Sequence, residues 1–338
     1  TYDGGSHVTS SYLTFPAVAN LGANFVLKVD LKIANTHSWQ CDRRAVNVSE
    51  ITSAWNPQTI RDSPGLSVGR WLGGESFAAG DTCGGVQWET IHLGSDQTSP
   101  GSQLVNSWTH GGSNYGLALT ADPWDNYAYK KFDSTNTSYP PYLAVTYADW
   151  AATYNAVSSY IPPTAIQPGS AQVTLRNEAA NWWNSSSMQV RARVYDANWN
   201  EIAVNAQLTG VSGLVRTGDS TTVAVAIPPL PVGSQYQVCW DGVVGGTASL
   251  HDSYGVKYNS CIWVSSQNTP PQIDTAEPLG NTVVGVLSPQ LYATGHDPDN
   301  SPGVGLDYDF QVYTNPESGS PALIAESGWQ PGSSWRIP

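Results

Sequence analysis

The sequence predicts an all-β protein built as tandem β-sandwiches, and three observations carry that prediction. Apolar residues recur with period two along almost the whole chain, the spacing of strands with one buried face. No segment sustains an i, i+3, i+4, i+7 apolar stripe with caps, so helices should be few. Charged residues make up only 12% of the 338 residues, about half the usual share. Gly, Ser, Thr, Asn, Trp and Tyr take their place, a mixture suited to strands joined by polar loops.

The elements follow in order. In NFVLKVDLKIAN, Phe25, Leu27, Val29, Leu31 and Ile33 alternate with Lys28, Asp30 and Lys32, which reads as a long strand with one wet face. Tyr115, Leu117 and Leu119 share a face in NYGLALTA, and Leu143, Val145 and Tyr147 do so in PYLAVTY. This first block spans 1–148. Residues 149–170 break the rhythm with Pro, Gly and small residues and read as a linker with one short helical turn near Trp150. The second block, 171–266, has the length and strand spacing of an Ig-like sandwich. Met188, Val190, Ala192 and Val194 alternate there with Gln189, Arg191 and Arg193, and YDANWNEI reads as a hairpin turning at Asn198–Asn200. A joint stiffened by Pro270 and Pro271 leads into the third block, 267–338, where Leu306, Tyr308, Phe310 and Val312 alternate with Asp307, Asp309 and Gln311. That block is short for a sandwich of about 100 residues, so its last strands are expected to be missing.

Bulk properties exclude some functions. A net charge of −13 argues against a nucleic-acid or anionic-membrane partner. No run of about 20 apolar residues exists, so no membrane insertion is expected. The chain starts at Thr1 and reads as a processed or excised piece of a longer protein. Its four cysteines fall in two regions and form no CxxC. The simplest reading is Cys41–Cys83 and Cys239–Cys261 disulfides, each contributing about 3–4 kcal/mol, in an oxidising compartment. The alternative is four buried free thiols.

The chain is expected to be non-catalytic. It lacks GxSxG, HExxH, GxxxxGK[ST] and a helix-opening GxGxxG. Its six histidines, His7, His37, His92, His110, His251 and His296, read as polar loop residues. Glu50, Asp62, Glu75 and Glu89 could supply paired carboxylates for glycoside hydrolysis, but acidic residues are common enough for chance pairs. Aromatics are the stronger signal: 14 Trp and 17 Tyr outnumber 5 Phe, favouring rings that expose one face and carry a polar tip. An indole or phenol stacks on the C–H face of a sugar while amides, carboxylates or cations fix its hydroxyls. Trp55, Trp71, Trp88, Trp108 and Trp124 all fall near expected loops or strand ends. The tract DPWDNYAYKKFD offers Trp124, Asp125, Asn126, Tyr127, Tyr129, Lys131 and Asp133 as a glycan site, with Lys131 facing a sugar carboxylate. The competing reading is sandwich core plus an edge strand guarded by lysines. Trp39 reads as core packing against Cys41. No cofactor is expected beyond structural calcium, for which GHDPDNSPG supplies Asp297, Asp299 and Asn300, and Asp3 and Asp133 are a second source. Asx turns around Pro298 account for the first cluster without a metal.

Further motifs point to a family. SYLTF (Ser11 to Phe15), SWQC (Ser38 to Cys41), SAWNPQT (Ser53 to Thr59), Cys83, LVNSW (Leu104 to Trp108), YGLAL (Tyr115 to Leu119) and KKFDS…PPYLAVTY resemble the DNRLRE domain, which is similar to carbohydrate-binding module family 96. The resemblance implies a jelly-roll sandwich on a secreted or cell-surface bacterial protein. The later blocks look like the Ig-like and fibronectin-III-like domains (VTLRNEAANWW; ATGHDPDN…DYDFQVYT…SGW) that accompany it in actinobacterial Rhs/YD-repeat proteins. The name-giving Arg-Glu pair before the closing strand is absent; Asp133, Ser134, Thr135 and Asn136 stand there. The function expected is glycan binding by the first block, with the rest as spacers. Partners would be an extracellular or cell-wall glycan, or neighbouring domains or chains. The alternatives are a purely architectural stalk, filament or shell subunit, and a polysaccharide-degrading enzyme.

Overall fold

The computed structural model describes residues 9–58, 60, 66–155, 159–278, 288–297, 306–314 and 320–338. The described chain is nearly all β, in several antiparallel sheets.

The first block contains β1 (Ser11–Leu13), β2 (Phe25–Ser38), β3 (Arg44–Ile51), β4 (Val68–Phe77), β5 (Gln87–Gly94), helix α1 (Pro100–Thr109), β6 (Leu117–Thr120), β7 (Lys130–Phe132) and β8 (Tyr142–Ala148). One sheet runs β1-β6-β3-β4. The other centres on β2, flanked by β5 on one side and by β7 and β8 on the other. Val29, Leu31 and Ile33 of β2, Val46 and Val48 of β3, Ile91 and Leu93 of β5, and Leu117 and Leu119 of β6 share one buried cluster, as the two inner faces of a sandwich must. Helix α1, which no capped stripe announced, adds Leu104, Val105 and Trp108 to this core. Its close seat depends on Gly101, where a Cβ would collide with the Leu93 carbonyl.

Strict alternation places Phe25, Leu27 and Val29 on one face, but the register shifts between Val26 and Lys28 and again between Val29 and Asp30. The first shift inserts Leu27 as an extra residue of β2 and reverses the side-chain parity of that strand, whereas the second inserts Leu93 on β5. Val26 therefore joins the first core, while Phe25 belongs to the second block's core and Leu27 packs against it. On β8, Leu143 and Val145 face inward as expected, but Tyr147 at the end of the strand is 47% exposed. Trp39, expected in the core, is 43% exposed.

The second block comprises β9 (Ala152–Asn155), β10 (Tyr160–Ile161), β11 (Gly169–Asn177), β12 (Met188–Tyr195), β13 (Glu201–Val204), β14 (Thr209–Gly210), β15 (Ser220–Ile227), β16 (Gln235–Val244), β17 (Ala248–Ser249) and β18 (Cys261–Ser265). The stretch read as a linker carries strands instead: β9 and β10 both pair with β11, which also pairs with β15. No helical turn forms at Trp150. The facing sheet is built on β12 and β16, joined by β13, β14, β17 and β18. Met188, Val190, Ala192 and Val194 are wholly buried, and β12 and β13 form the expected hairpin. On the opposite face of β12, Arg191 donates to the buried Asp241 at 2.9 Å, and Arg193 donates to Glu201 at 2.6 Å and Asp252 at 2.7 Å. Charges this enclosed persist only when paired.

Both expected disulfides form. Cys41–Cys83 spans 42 residues, and Cys239–Cys261 spans 22 residues across paired strands.

The third block has β19 (Gln272–Glu277), β20 (Gln290–His296), β21 (Gln311–Tyr313), β22 (Leu323–Glu326) and β23 (Ser334–Arg336), in a β19-β20-β23 sheet and a β21-β22 pair. Among its described residues only Ala293 is a buried hydrophobic. A cavity of about 660 Å³ lies between the sheets, lined by Ile273, Leu291, Phe310, Val312, Trp329 and Ile337 among others.

Candidate functional site

The expected tract splits into two unlike pieces. Residues 121–128 form consecutive Asx turns. The Asp122 carboxylate accepts from the Trp124 amide at 2.9 Å, and the Asp125 carboxylate accepts from the Tyr127 amide at 2.9 Å. Asp125 is also held by Arg44 at 2.8 Å. These turns thrust Trp124 into solvent at 91% exposure, with Asn126 and Tyr127 exposed beside it. Trp124 has no ring partner among the described residues. Tyr129 instead points back, its ring 6.0 Å from His37, which bonds Asp81 at 2.7 Å. Lys131 is an exposed residue of β7 opposite His37. Just beyond the strand, the Asp133 amide donates to the Ala34 carbonyl at 3.2 Å.

A second aromatic group lies on the outer face of the β5-β2-β8 sheet. Trp88 stands opposite Ala34 on β2, and Tyr142 stands opposite Lys32. The Trp88 ring meets Tyr142 at 5.5 Å and Tyr139 at 6.2 Å, edge to face in both cases. All three rings remain 44–49% exposed, yet Ala34 beneath is wholly buried. The group is thus a platform with a packed base and an open top.

A polar row continues along the same face. Lys32 donates to the Thr90 hydroxyl at 2.6 Å. Asp30 bonds His92 at 2.7 Å and pairs with Lys28 at 3.2 Å. Burial pushes the Asp30 carboxyl up, but the hydrogen bonds from His92 and Lys28 outweigh it and hold the group below the usual carboxylate range. Indole, phenols, amine, hydroxyl, carboxylate and imidazole therefore lie within one strand-to-strand patch. Such a surface can stack a sugar ring and donate to or accept from its hydroxyls.

Period-two reading put Lys28, Asp30 and Lys32 on the wet face, but it could not say which strands flank them. Trp88 was visible only as an aromatic near a strand end, and Tyr139 and Tyr142 only as neighbours of the closing strand. Alternation does supply one signal, since Trp88, Thr90 and His92 share a face opposite that of Ile91 and Leu93.

The other candidates are dispersed. Asp297 is at the end of the described stretch after β20; Asp299, Asn300, Asp3, Asp62 and His7 lie outside the described residues. No cluster of metal-ligating side chains occurs among the described residues. His296 bonds Asp274 at 2.8 Å, His110 bonds the Asn106 and Glu178 carbonyls, and His251 stacks on Tyr258 at 4.1 Å. Among the described residues no helix is long and apolar enough to cross a membrane.

Fold and surface together define a class: a disulfide-bonded, β-sandwich-like chain with an aromatic and polar patch on the outside of its first block. No family model and no curated protein matches the chain. Among solved structures, a β-glucuronidase of Parabacteroides merdae aligns with a TM-score of 0.24 and 9% identity over 78% of this chain. The alignment spans 28% of that enzyme.

Proposed function

We propose that the first block binds a glycan on its β5-β2-β8 face without acting on it, and that the second and third blocks position it. The observation that supports this reading is the Trp88–Tyr142–Tyr139 platform beside Lys32, Thr90, Asp30 and His92. Trp124, Tyr127 and Lys131 would form a separate, weaker rim, because Asp125 is already held by Arg44. The two disulfides favour a secreted or cell-surface setting, and the sequence resemblance favours a bacterial surface protein of the Rhs/YD-repeat kind. A shallow, open platform implies Kd values in the ~μM–mM range. A glycan array followed by calorimetry with neutral and uronate-containing oligosaccharides tests the proposal. Binding that disappears in a Trp88→Ala/Tyr142→Ala double variant supports it; a folded protein that binds no wall, capsule or uronate polymer sinks it.

One observation favours an architectural reading of the third block. Ile273 and Trp329 are 72% and 78% exposed at its open cavity, and contiguous exposed apolar surface marks assembly sites. Sedimentation over a concentration range distinguishes a solitary chain from one that associates through this block.

A further inference from the structure

We propose that Lys130 and Asn35 are joined by an intramolecular amide bond between β7 and β2, with the Glu89 side chain carrying the proton between them. The site lies on the inner side of the first sandwich, at the end of the β5-β2-β7 sheet, and is independent of the outer glycan face.

Two strand registers, β2 with β5 and β2 with β7, bring these residues together. Asn35 stands opposite Gln87 of β5 and Phe132 of β7, and Glu89 stands opposite Ile33. Glu89 alternates in phase with Ile91 and Leu93, which are core residues, so its carboxyl is on the core side of β5. Lys130 stands opposite Ser38 and in phase with Phe132, whose ring packs 6.2 Å from Phe77. The Lys130 amine lies 5.4 Å from the centre of that same Phe77 ring. Asn35 is wholly buried, and its Nδ2 donates to the Ser38 hydroxyl at 2.9 Å. Its carboxamide is therefore turned toward the residue that faces Lys130.

The polar atoms here are left open in a telling way. Lys130 Nζ and Asn35 Oδ1 are both buried, and neither has a hydrogen-bond partner among the described residues. A buried ammonium with no hydrogen bond is costly even over an aromatic ring, and lysine is rarely enclosed without a hydrogen-bonding partner. A lysine condensed to a secondary amide carries no charge to desolvate. The electrostatics favour the same chemistry. Burial pushes the Lys130 amine down, toward the neutral nucleophile, and burial pushes the Glu89 carboxyl up, toward the acid. The two groups act on each other. Arg43 and Glu75 also face Glu89, and Arg44 and Asp125 also face Lys130.

The step balances without an external reagent. The neutral Lys130 Nζ attacks Asn35 Cγ while protonated Glu89 polarises Oδ1. Glu89 then relays a proton from Nζ to Nδ2, the Cγ–Nδ2 bond breaks, and ammonia leaves. The product is an Nζ–Cγ amide, with Glu89 again protonated and no atom oxidised or reduced.

Intact mass of the reduced, denatured protein reads the result directly. The expected mass is that of the sequence less one ammonia, with a proteolytic fragment in which the Asn35 and Lys130 peptides are joined. Glu89→Gln and Lys130→Arg should each restore the full sequence mass, with folding checked by circular dichroism. An unmodified mass in the folded wild-type protein after prolonged incubation overturns the proposal, whether or not the variants fold. So does ammonia loss without the joined fragment.

Discussion

Trp88 stands opposite the wholly buried Ala34 and is itself half-exposed, so its truncation has two separable effects. The ring stacks at its edge on Tyr139 and Tyr142, contacts worth about 0.5–1.5 kcal/mol each, and its open face is the surface a sugar would use. Trp88→Ala should lower glycan affinity about tenfold, equivalent to about 1.4 kcal/mol, with a modest loss of stability. Trp124 has nothing beneath it. Trp124→Ala should leave both affinity and thermal stability within error, as calorimetry and a melting curve would register. A result in which Trp124→Ala abolishes binding and Trp88→Ala does not would move the site to the 121–129 loop. At this scale the sequence was a partial guide. It supplied the aromatic excess, but exposure depends on what lies under each ring, and Ala34 and Trp88 are neighbours only through strand pairing.

Strands were legible where alternation met a single buried face, as in β12, whose four inward residues are all wholly buried. They were misread where a bulge intervened, because one extra residue reverses every side chain beyond it; Phe25 and Leu27 changed sides for this reason. Helix α1 escaped notice because much of what it buries is small, Gly101 and Ser102 among it, and small residues carry little periodic signal. That smallness is testable. Gly101→Ala places a methyl against the Leu93 carbonyl, so α1 must lift from β5, and chemical denaturation should register a loss of about 1–3 kcal/mol despite alanine's better helix propensity. The disulfides make a second element-scale contrast. The Cys239–Cys261 bridge closes 22 residues and the Cys41–Cys83 bridge 42, so double Cys→Ala replacement should cost about 3 and about 4 kcal/mol respectively on the loop-entropy account. Cys239 is wholly buried, so the first replacement also leaves a small cavity.

The first and second blocks are joined by two kinds of contact, and their magnitudes decide which one governs the molecule. The polar contacts are an ion pair of Lys257 with Asp96 at 2.7 Å, with Gln97 bonding the Lys257 amide and carbonyl, and the His110 bond to the Glu178 carbonyl at 3.2 Å. Hydrogen bonds from Lys257 and Thr98 hold the Asp96 carboxyl well below the usual carboxylate range. A depressed folded value means that the pair's contribution is fully present above the unfolded value of about 3.9 and fades as pH falls through the folded one. Lys257 is 56% exposed at its side chain, so solvent limits the contribution to about 1 kcal/mol or less, and salt weakens it further. The apolar contact is Phe25, a first-block residue set in the second block's core with Leu27 beside it. Removing a buried phenylalanine costs about 3–5 kcal/mol. Burial therefore outweighs the ion pair, and the linked pair of blocks should unfold together at neutral and at mildly acid pH. Lys257→Ala should leave one calorimetric transition for these blocks, lowered slightly, with the difference from wild type shrinking as pH drops below about 3.9. Phe25→Ala should split that transition in two, because each sandwich keeps most of its own core while the residue that bridges them is gone. A single, equally cooperative transition in Phe25→Ala would mean that the polar contacts carry the coupling, and that the orientation of the glycan face relative to the second block is set by charge.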